Sequence, residues 1–160
     1  AASVGRDHGA RIITEGALAG HTAAVTSAAG ILMREGCDAI LSIPGDVPLA
    51  SSAEVRAVLS ARGKAPEFVI APAHDGRGSN AILCAPPGVV PLSYGDDSFE
   101  PHLAAARKEG IEPKVLRLPG IGLDIDSIAD VHAFLRTPSD THTFRLLSSR
   151  REELGQPTSC

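Results

Sequence analysis

Residues 42–49, with the sequence Ser-Ile-Pro-Gly-Asp-Val-Pro-Leu, decide the predicted fold. The apolar residues 39–43 that lead into this segment predict a short buried strand. Pro44 and Gly45 end the strand, because proline lacks a backbone hydrogen-bond donor and glycine permits a sharp turn. Asp46 therefore follows the carboxyl end of the strand, which is the edge at which open α/β sheets bind ligands.

Asp46 has two interpretations at this position. The helix that follows has its own cap, because Ser51 and Glu54 have the spacing of a capping box, so Asp46 is not needed there. Aspartate often shapes a turn of this kind. A carboxylate at this sheet edge can equally serve a ligand or a metal ion. The residues alone do not distinguish the turn-shaping role from the ligand-binding or metal-binding role.

Strands alternate with helices along the rest of the chain. The sequence predicts strands at 10–13, 39–43, 68–71, 81–84, 114–118 and 122–126, and helices at 16–34, 51–62, 98–109, 128–136 and 140–154. This alternation predicts a three-layer α/β/α fold around a mostly parallel, doubly wound sheet. Residues 1–154 are expected to form one domain, and residues 155–160 a loose tail.

Composition narrows the class of protein. The chain has 160 residues, 43% of them hydrophobic, and a formal net charge of −4 with no block of like charges. These values fit a globular domain and argue against a nucleic-acid or membrane surface. Cys37, Cys84 and Cys160 lie far apart, which suggests neither disulfides nor a zinc site and favours a cytoplasmic setting. Cys84, in an apolar strand, is expected to be an inert thiol.

A second pair of carboxylates follows a later predicted strand. Strand alternation places Asp124 and Asp126 on one face, with Asp126 at the carboxyl end beside the cap residue Ser127. Asp46 and Asp126, at two strand ends that face one crevice, would form a Mg²⁺ site that uses few protein oxygens. The alternative is an interaction with the N-terminus of the following helix. We favour that alternative for Asp124 and the metal for Asp126.

Two loops carry groups that suit an anion. In residues 74–80, Gly76 and Gly78 let backbone N–H groups approach a ligand, and side-chain donors follow from Arg77, Ser79 and Asn80. A plain surface loop explains these residues equally well. Residues 95–98 lead into a helix N-terminus, which also suits an anion, although Ser98 as a simple N-cap is the alternative.

The histidines do not suggest a catalytic centre. Six are present, and they do not cluster at the spacing of metal ligands. His102 and His132 fall within predicted helices, where a packed or exposed side chain is expected rather than a catalytic one. No nucleophile elbow of the form G-x-S-x-G occurs in the sequence.

Four segments, in this order, resemble one known family: 44–49 (Pro-Gly-Asp-Val-Pro-Leu), 76–81 (Gly-Arg-Gly-Ser-Asn-Ala), 98–103 (Ser-Phe-Glu-Pro-His-Leu) and 123–126 (Leu-Asp-Ile-Asp). The family is that of the 2-phospho-L-lactate and phosphoenolpyruvate guanylyltransferases of coenzyme F-420 biosynthesis. The resemblance covers about residues 4–150. The first segment also occurs in molybdenum-cofactor nucleotidyltransferases, whereas the second and third are more specific.

The resemblance implies a fold, a reaction and a set of site residues. The fold is that of nucleotide-diphospho-sugar transferases, and the reaction joins GMP from GTP to 2-phospho-L-lactate or phosphoenolpyruvate, with release of pyrophosphate and Mg²⁺ as cofactor. By resemblance, the catalytic, metal-binding residues are Asp46 and Asp126, with Asp124 as a further metal ligand. The acid substrate would be held by Ser79, Asn80, Gly95 and Ser98, and the nucleotide by Gly45, Arg77 and Thr22.

The chain departs from this family in two places. Relatives begin with a strand and a lysine-bearing loop, whereas this sequence starts at what resembles their second strand, so we expect an N-terminally incomplete member. Gly20-His21-Thr22 stands where relatives often have Gly-Leu-Asn. Two alternatives follow: a molybdenum-cofactor-type guanylyl- or cytidylyltransferase, and a catalytically dead ligand-binding domain of the same fold. A homodimer is compatible with each interpretation.

Overall fold

The computed structural model describes residues 2–151 and residue 154. Its elements in chain order are α1 (Ala2–Asp7), a 3-10 helix (Ala17–Ala19), α2 (His21–Arg34), β1 (Ile40–Ser42), α3 (Ser52–Ser60), β2 (Glu67–Pro72), β3 (Ser79–Ala85), α4 (Phe99–Lys108), β4 (Lys114–Val115), α5 (Pro119–Gly122), α6 (Ile128–Leu135) and α7 (His142–Ser149). None of the helices within this part of the chain has the length and apolar character that a membrane crossing requires. The predicted tail, 155–160, lies outside the described residues.

The strands form one mixed sheet in the order β1-β3-β2-β4. β3 runs antiparallel to both β1 and β2, whereas β2 and β4 are parallel. Three strands therefore point in one direction and β3 in the other. The reason lies in the short connection 73–78, because a parallel crossover needs about a dozen residues and a hairpin does not. The α/β class is confirmed, with this one strand reversed.

Helices cover both faces of the sheet, as the alternating side chains of β2 and β3 require. On one face, Phe68 and Ile82 pack against α4 in a cluster that includes Leu103. On the other, Val69 and Leu83 pack against α3. The three-layer arrangement is therefore confirmed.

Cys84 lies in the centre of this core. It is fully buried, and burial raises the pKa of its thiol to about 11. A thiol that stays protonated at neutral pH is a poor nucleophile, which agrees with the inert role predicted for it.

Two of the predicted strands are wrong. Residues 10–14 adopt neither helix nor strand, because the N–H of Ala10 donates to the carbonyl of Gly5 and closes the end of α1. Residues 122–126 are not a strand either. Pro119 begins the short helix α5, a position that suits proline, and residues 123–126 are irregular. The carboxylates Asp124 and Asp126 thus do not lie on a pleated strand.

Other boundaries also differ from the prediction. β1 is half-buried rather than buried, because it lies at the edge of the sheet and, among the described strands, pairs with β3 alone. The predicted helix 16–34 is interrupted at Gly20, whose φ of 93° is incompatible with a continuous helix. β4 spans only Lys114–Val115. The capping boxes of α3 at Ser51 and α6 at Ser127 are both present.

A second, smaller core supports residues 123–125. Leu123 packs with Phe134 and Leu135 of α6, and Phe144 of α7 completes the cluster. The rings of Phe134 and Phe144 meet edge to face, with their centroids 5.9 Å apart. This packing holds the irregular segment that carries Asp124 and Asp126 against the main sheet.

Candidate active site

A cleft of about 540 Å³ opens at the ends of β1 and β2, and five separate segments line it. The structure brings together in this cleft most of the residues predicted from the sequence: Asp46, Arg77, Ser79, Asn80, Gly95, Ser98, Asp124 and Asp126. Gly45 lines an adjacent, smaller cavity that shares Asp46 with the cleft. Thr22 lies behind the wall, where its Oγ1 accepts a hydrogen bond of 3.0 Å from the N–H of Tyr94.

The backbone of Asp46 is bonded to Ile125, the residue that precedes Asp126. The N–H of Ile125 donates to the carbonyl of Asp46 at 3.1 Å, which ties the turn after β1 to the irregular segment before α6. Both aspartates are exposed to solvent. In the capping box of α6, Ser127 is the cap residue and Asp130 completes the box: its Oδ2 accepts from the N–H groups of Ser127 and Asp126 at 2.9 and 3.3 Å. The capping hydrogen bonds of α6 are therefore made without the carboxylate of Asp126, as those of α3 are made without Asp46.

Negative charge dominates the cleft. Five aspartates line it: Asp46, Asp75, Asp96, Asp124 and Asp126. The pKa of Asp126 is raised, first by desolvation and then by the neighbouring carboxylates of Asp124 and Asp46. Arg77 offsets little of this charge, because its Nε is bonded to Asp97 Oδ1 at 2.6 Å.

This donor set fits a hard divalent cation. Mg²⁺ is commonly bound by one or two carboxylates together with water and substrate phosphates, rather than by a complete protein cage. Within residues 2–151, no three His, Cys, Asp or Glu side chains converge into such a cage. The carboxylates in the cleft repel one another, and a bound cation would offset this repulsion.

The glycine-rich loop is a tight hairpin between β2 and β3. The N–H of Gly76 donates to the carbonyl of Ala73 at 2.9 Å, and the N–H of Arg77 donates to Asp75 Oδ1 at 2.8 Å. These two N–H groups are therefore used within the turn rather than offered to an anion. What the hairpin contributes to the cleft is the pair Ser79 and Asn80 at the start of β3.

Asn80 connects the sheet to α5. Its side chain is almost fully buried, and Nδ2 donates to the carbonyls of Ile121 and Gly122 at 2.9 and 3.2 Å. α5 also packs closely at Gly120, where a Cβ atom would collide with the carbonyl oxygen of Leu49. These contacts position the residues immediately before Asp124.

A buried polar network lies behind the cleft wall. Ser79 Oγ is 2.9 Å from His102 Nδ1 and 3.2 Å from Ser98 Oγ, and the N–H of Ser93 donates to His102 Nε2 at 2.9 Å. Ser98 thus bonds to Ser79 and does not cap α4 with its side chain. His102 is packed, as predicted, but its hydrogen bonds link it to the site.

A family model described as "Guanylyl transferase CofC like" matches residues 4–154. The chain belongs to this family. Among curated relatives, the phosphoenolpyruvate guanylyltransferase of Roseiflexus sp. strain RS-1 is 36% identical over 94% of this chain and 66% of its own length. The enzyme of the same name from Rubrobacter xylanophilus is 40% identical over 62% of this chain and 48% of its own. The resemblance inferred from the four segments is confirmed.

Two further comparisons extend this placement. The 3-phospho-D-glycerate guanylyltransferase of Colwellia psychrerythraea is 34% identical over 89% of this chain and 62% of its own length. A crystal structure from Desulfovibrio desulfuricans G20, described as a nucleotide-diphospho-sugar transferase, has a TM-score of 0.67 at 19% identity and covers 84% of this chain and 61% of that one. The predicted fold type is confirmed. The chain spans about half to two thirds of the length of the curated relatives it matches.

Sequence reasoning missed part of this cleft. His21 and Tyr94 line it, and their rings meet edge to face with centroids 4.3 Å apart. Asp75 and Asp96 line it as well. The unusual Gly20-His21-Thr22 segment, at the start of α2, was a sequence signal for His21, whereas Tyr94 lies in an irregular stretch without any pattern.

We expect His102 to make the stability of this protein depend on pH. Burial lowers its pKa from 6.5 to about 4. Between these two pH values, His102 is therefore protonated in the unfolded chain but neutral in the folded protein. The free energy of unfolding should therefore decrease as pH falls through this range, by up to about 3 kcal/mol from this residue. Urea melts at pH 7 and 4.5 measure the effect, with His102→Gln as the comparison. An equal loss in the variant would contradict the assignment.

Proposed function

We propose that this chain forms the nucleotidyl-transfer domain of an enzyme that joins GMP from GTP to phosphoenolpyruvate or 2-phospho-L-lactate, as a step in coenzyme F-420 biosynthesis. Family membership over residues 4–154 carries this proposal. It is supported by the relative named phosphoenolpyruvate guanylyltransferase that matches 94% of the chain. We assign residues 1–154 to one domain. We place the reaction in the cytoplasm, since the free thiols of Cys37 and Cys84 suit a reducing compartment.

The proposed reaction requires little general acid–base catalysis from the protein. A phosphate oxygen of the acid attacks the α-phosphorus of GTP, a new P–O–P bond forms, and the bond to the β-phosphate breaks as pyrophosphate leaves. The attacking oxygen is already anionic, so no general base is needed. The protein has to hold two anions in line, and fixed hydrogen-bond donors perform that task.

The cleft offers donors and carboxylates on separate segments. Ser79, with Gly95 beside it, would hold the acid, and Ser98 would act through its hydrogen bond to Ser79. Arg77 lines the mouth and would meet the nucleotide phosphates together with Gly45, while Thr22 would act by holding the backbone of Tyr94. Asp46 and Asp126, with Asp124 beside them, would hold Mg²⁺, which neutralises phosphate charge when bound. The excess of carboxylates in the cleft supports this division of roles.

Pyrophosphate release tests the proposal. The full-length protein that contains this chain is incubated with Mg²⁺, with GTP or CTP, and with each acid in turn. 3-Phospho-D-glycerate is included because the Colwellia psychrerythraea relative is named for it. Release with GTP and one of the acids is expected. Preference for CTP or a pterin substrate would favour the molybdenum-cofactor type, and GTP binding without any release would favour the inactive domain.

A further inference from the structure

The direction of each hydrogen bond in the network behind the cleft follows from its fixed donors. His102 lies in α4 and is 1% exposed, so its ring nitrogens depend on protein partners. The N–H of Ser93 reaches Nε2 at 2.9 Å, and a backbone N–H can only donate. Nε2 is therefore the unprotonated nitrogen. In a neutral imidazole the proton then lies on Nδ1, which is 2.9 Å from Ser79 Oγ and donates to it.

Ser79 receives a second hydrogen bond on the same oxygen. Ser98 Oγ donates to Ser79 Oγ at 3.2 Å. A serine hydroxyl has two acceptor positions and one donor, so both acceptor positions are filled. The proton of Ser79 needs a further acceptor, and residues 2–151 form no such bond. Ser79 lines the cleft, so its hydroxyl can only donate to what the cleft contains.

We propose that His102 is a positioning residue that fixes Ser79 as a hydrogen-bond donor to an oxygen of the acid substrate. The identity of that substrate rests on the proposed function. A side chain that can only donate selects an anionic acceptor. This donor matters because the five aspartates that line the cleft repel an anionic substrate. The opposite tautomer would set the protons of Nε2 and Ser93 N–H against each other, and Ser79 would lose its orientation.

Two substitutions separate the ring nitrogens of His102. In His102→Asn the side-chain amide lies near the position of Nδ1 and can still donate to Ser79. In His102→Gln the amide reaches the position of Nε2, so it can accept from Ser93 but no longer orients Ser79. We expect His102→Gln and Ser79→Ala to raise the KM for the acid by about 10- to 100-fold, the loss of one hydrogen bond to a charged group. The KM for GTP should stay unchanged, and His102→Asn should restore the KM for the acid to within a few-fold of wild type.

A double-mutant cycle and a remote control complete the set. If His102 acts through Ser79, then adding His102→Gln to Ser79→Ala should cause no further loss. His132→Gln, on α6, tests for a general effect of replacing a histidine and should leave the KM for the acid unchanged. Additive losses in the cycle, or a folded His102→Gln variant with wild-type KM for the acid, would overturn the proposal.

Two measurements distinguish this inference from the proposed reaction. Phosphoenolpyruvate binding without nucleotide is followed by calorimetry, and weaker binding to His102→Gln than to His102→Asn supports the positioning role even if no pyrophosphate is ever released. Absence of phosphoenolpyruvate binding to the wild-type protein overturns it. Nitrogen-15 NMR of the wild-type protein should find the His102 proton on Nδ1, and a proton on Nε2 overturns the proposal whether or not the variants fold.

Discussion

Asp46→Asn should lower the rate of guanylyl transfer by about a thousandfold and leave the fold intact. The substitution removes one of the carboxylates that would hold Mg²⁺, and the charge stabilisation lost there is worth several kcal/mol. Stability should change by no more than about 0.5 kcal/mol, as at other surface positions. Asp46 is exposed, Ser51 and Glu54 cap the nearby helix, and the backbone carbonyl that accepts from Ile125 is retained.

Pyrophosphate release and a thermal melt, measured on the same preparation, check this expectation. Asp126→Asn should behave like Asp46→Asn. Asp124→Asn should have a milder effect, because Asp124 is less exposed than Asp126. Asp140→Asn is the matched control, since this exposed aspartate lies outside the cleft. Near-wild-type turnover of Asp46→Asn, or an activity loss that only follows a lower melting temperature, would leave Asp46 as a turn-shaping residue.

Asn80→Asp should destabilise the protein by about 3–5 kcal/mol at neutral pH, a large part of the stability of a domain this size. The new carboxylate would be buried beside the carbonyl oxygens of Ile121 and Gly122, which now accept from the Asn80 amide. Asn80→Ala is the control. It removes the donors without adding charge and should cost only about 1–3 kcal/mol.

The penalty of Asn80→Asp should depend on pH. Burial beside two carbonyls raises the pKa of the introduced carboxyl, and its protonated form can still donate one hydrogen bond. The variant should therefore be least destabilised below the unfolded pKa of aspartate, about 3.9, and should lose stability as pH rises through the folded value. Urea melts at several pH values, each with wild type alongside, test this expectation. A variant as stable as wild type at pH 8 would show that Asn80 does not support α5.

The same variants decide between two roles for Asn80. The sequence predicts an acid-binding residue, whereas the structure gives its amide nitrogen to α5. If Asn80→Ala keeps its melting temperature but raises the KM for the acid, then the substrate contact is its main role. If stability and activity fall together, then the main role of Asn80 is to support α5.

The sequence by itself determined the features that depend on neighbouring residues. The two capping boxes, at Ser51 and Ser127, are formed by side chains three residues apart, and both are present. The alternation of strands with helices along the chain was sufficient to predict a sheet covered on both faces. Proline and glycine after β1 ended that strand and left Asp46 in a turn. Short-range sterics and hydrogen bonds decide each of these features, so a local pattern encodes them.

Only the tertiary structure decided which backbone groups meet across the fold. Residues 122–126 alternate like a strand, yet Ile125 bonds to the carbonyl of Asp46 and forms no ladder. The side chain of Asn80 finds its partners 41 and 42 residues away, and Ser79 meets His102 across 23 residues. Most buried polar groups form a hydrogen bond, but the partner depends on how distant segments pack. Periodicity along the chain carries no information about that choice.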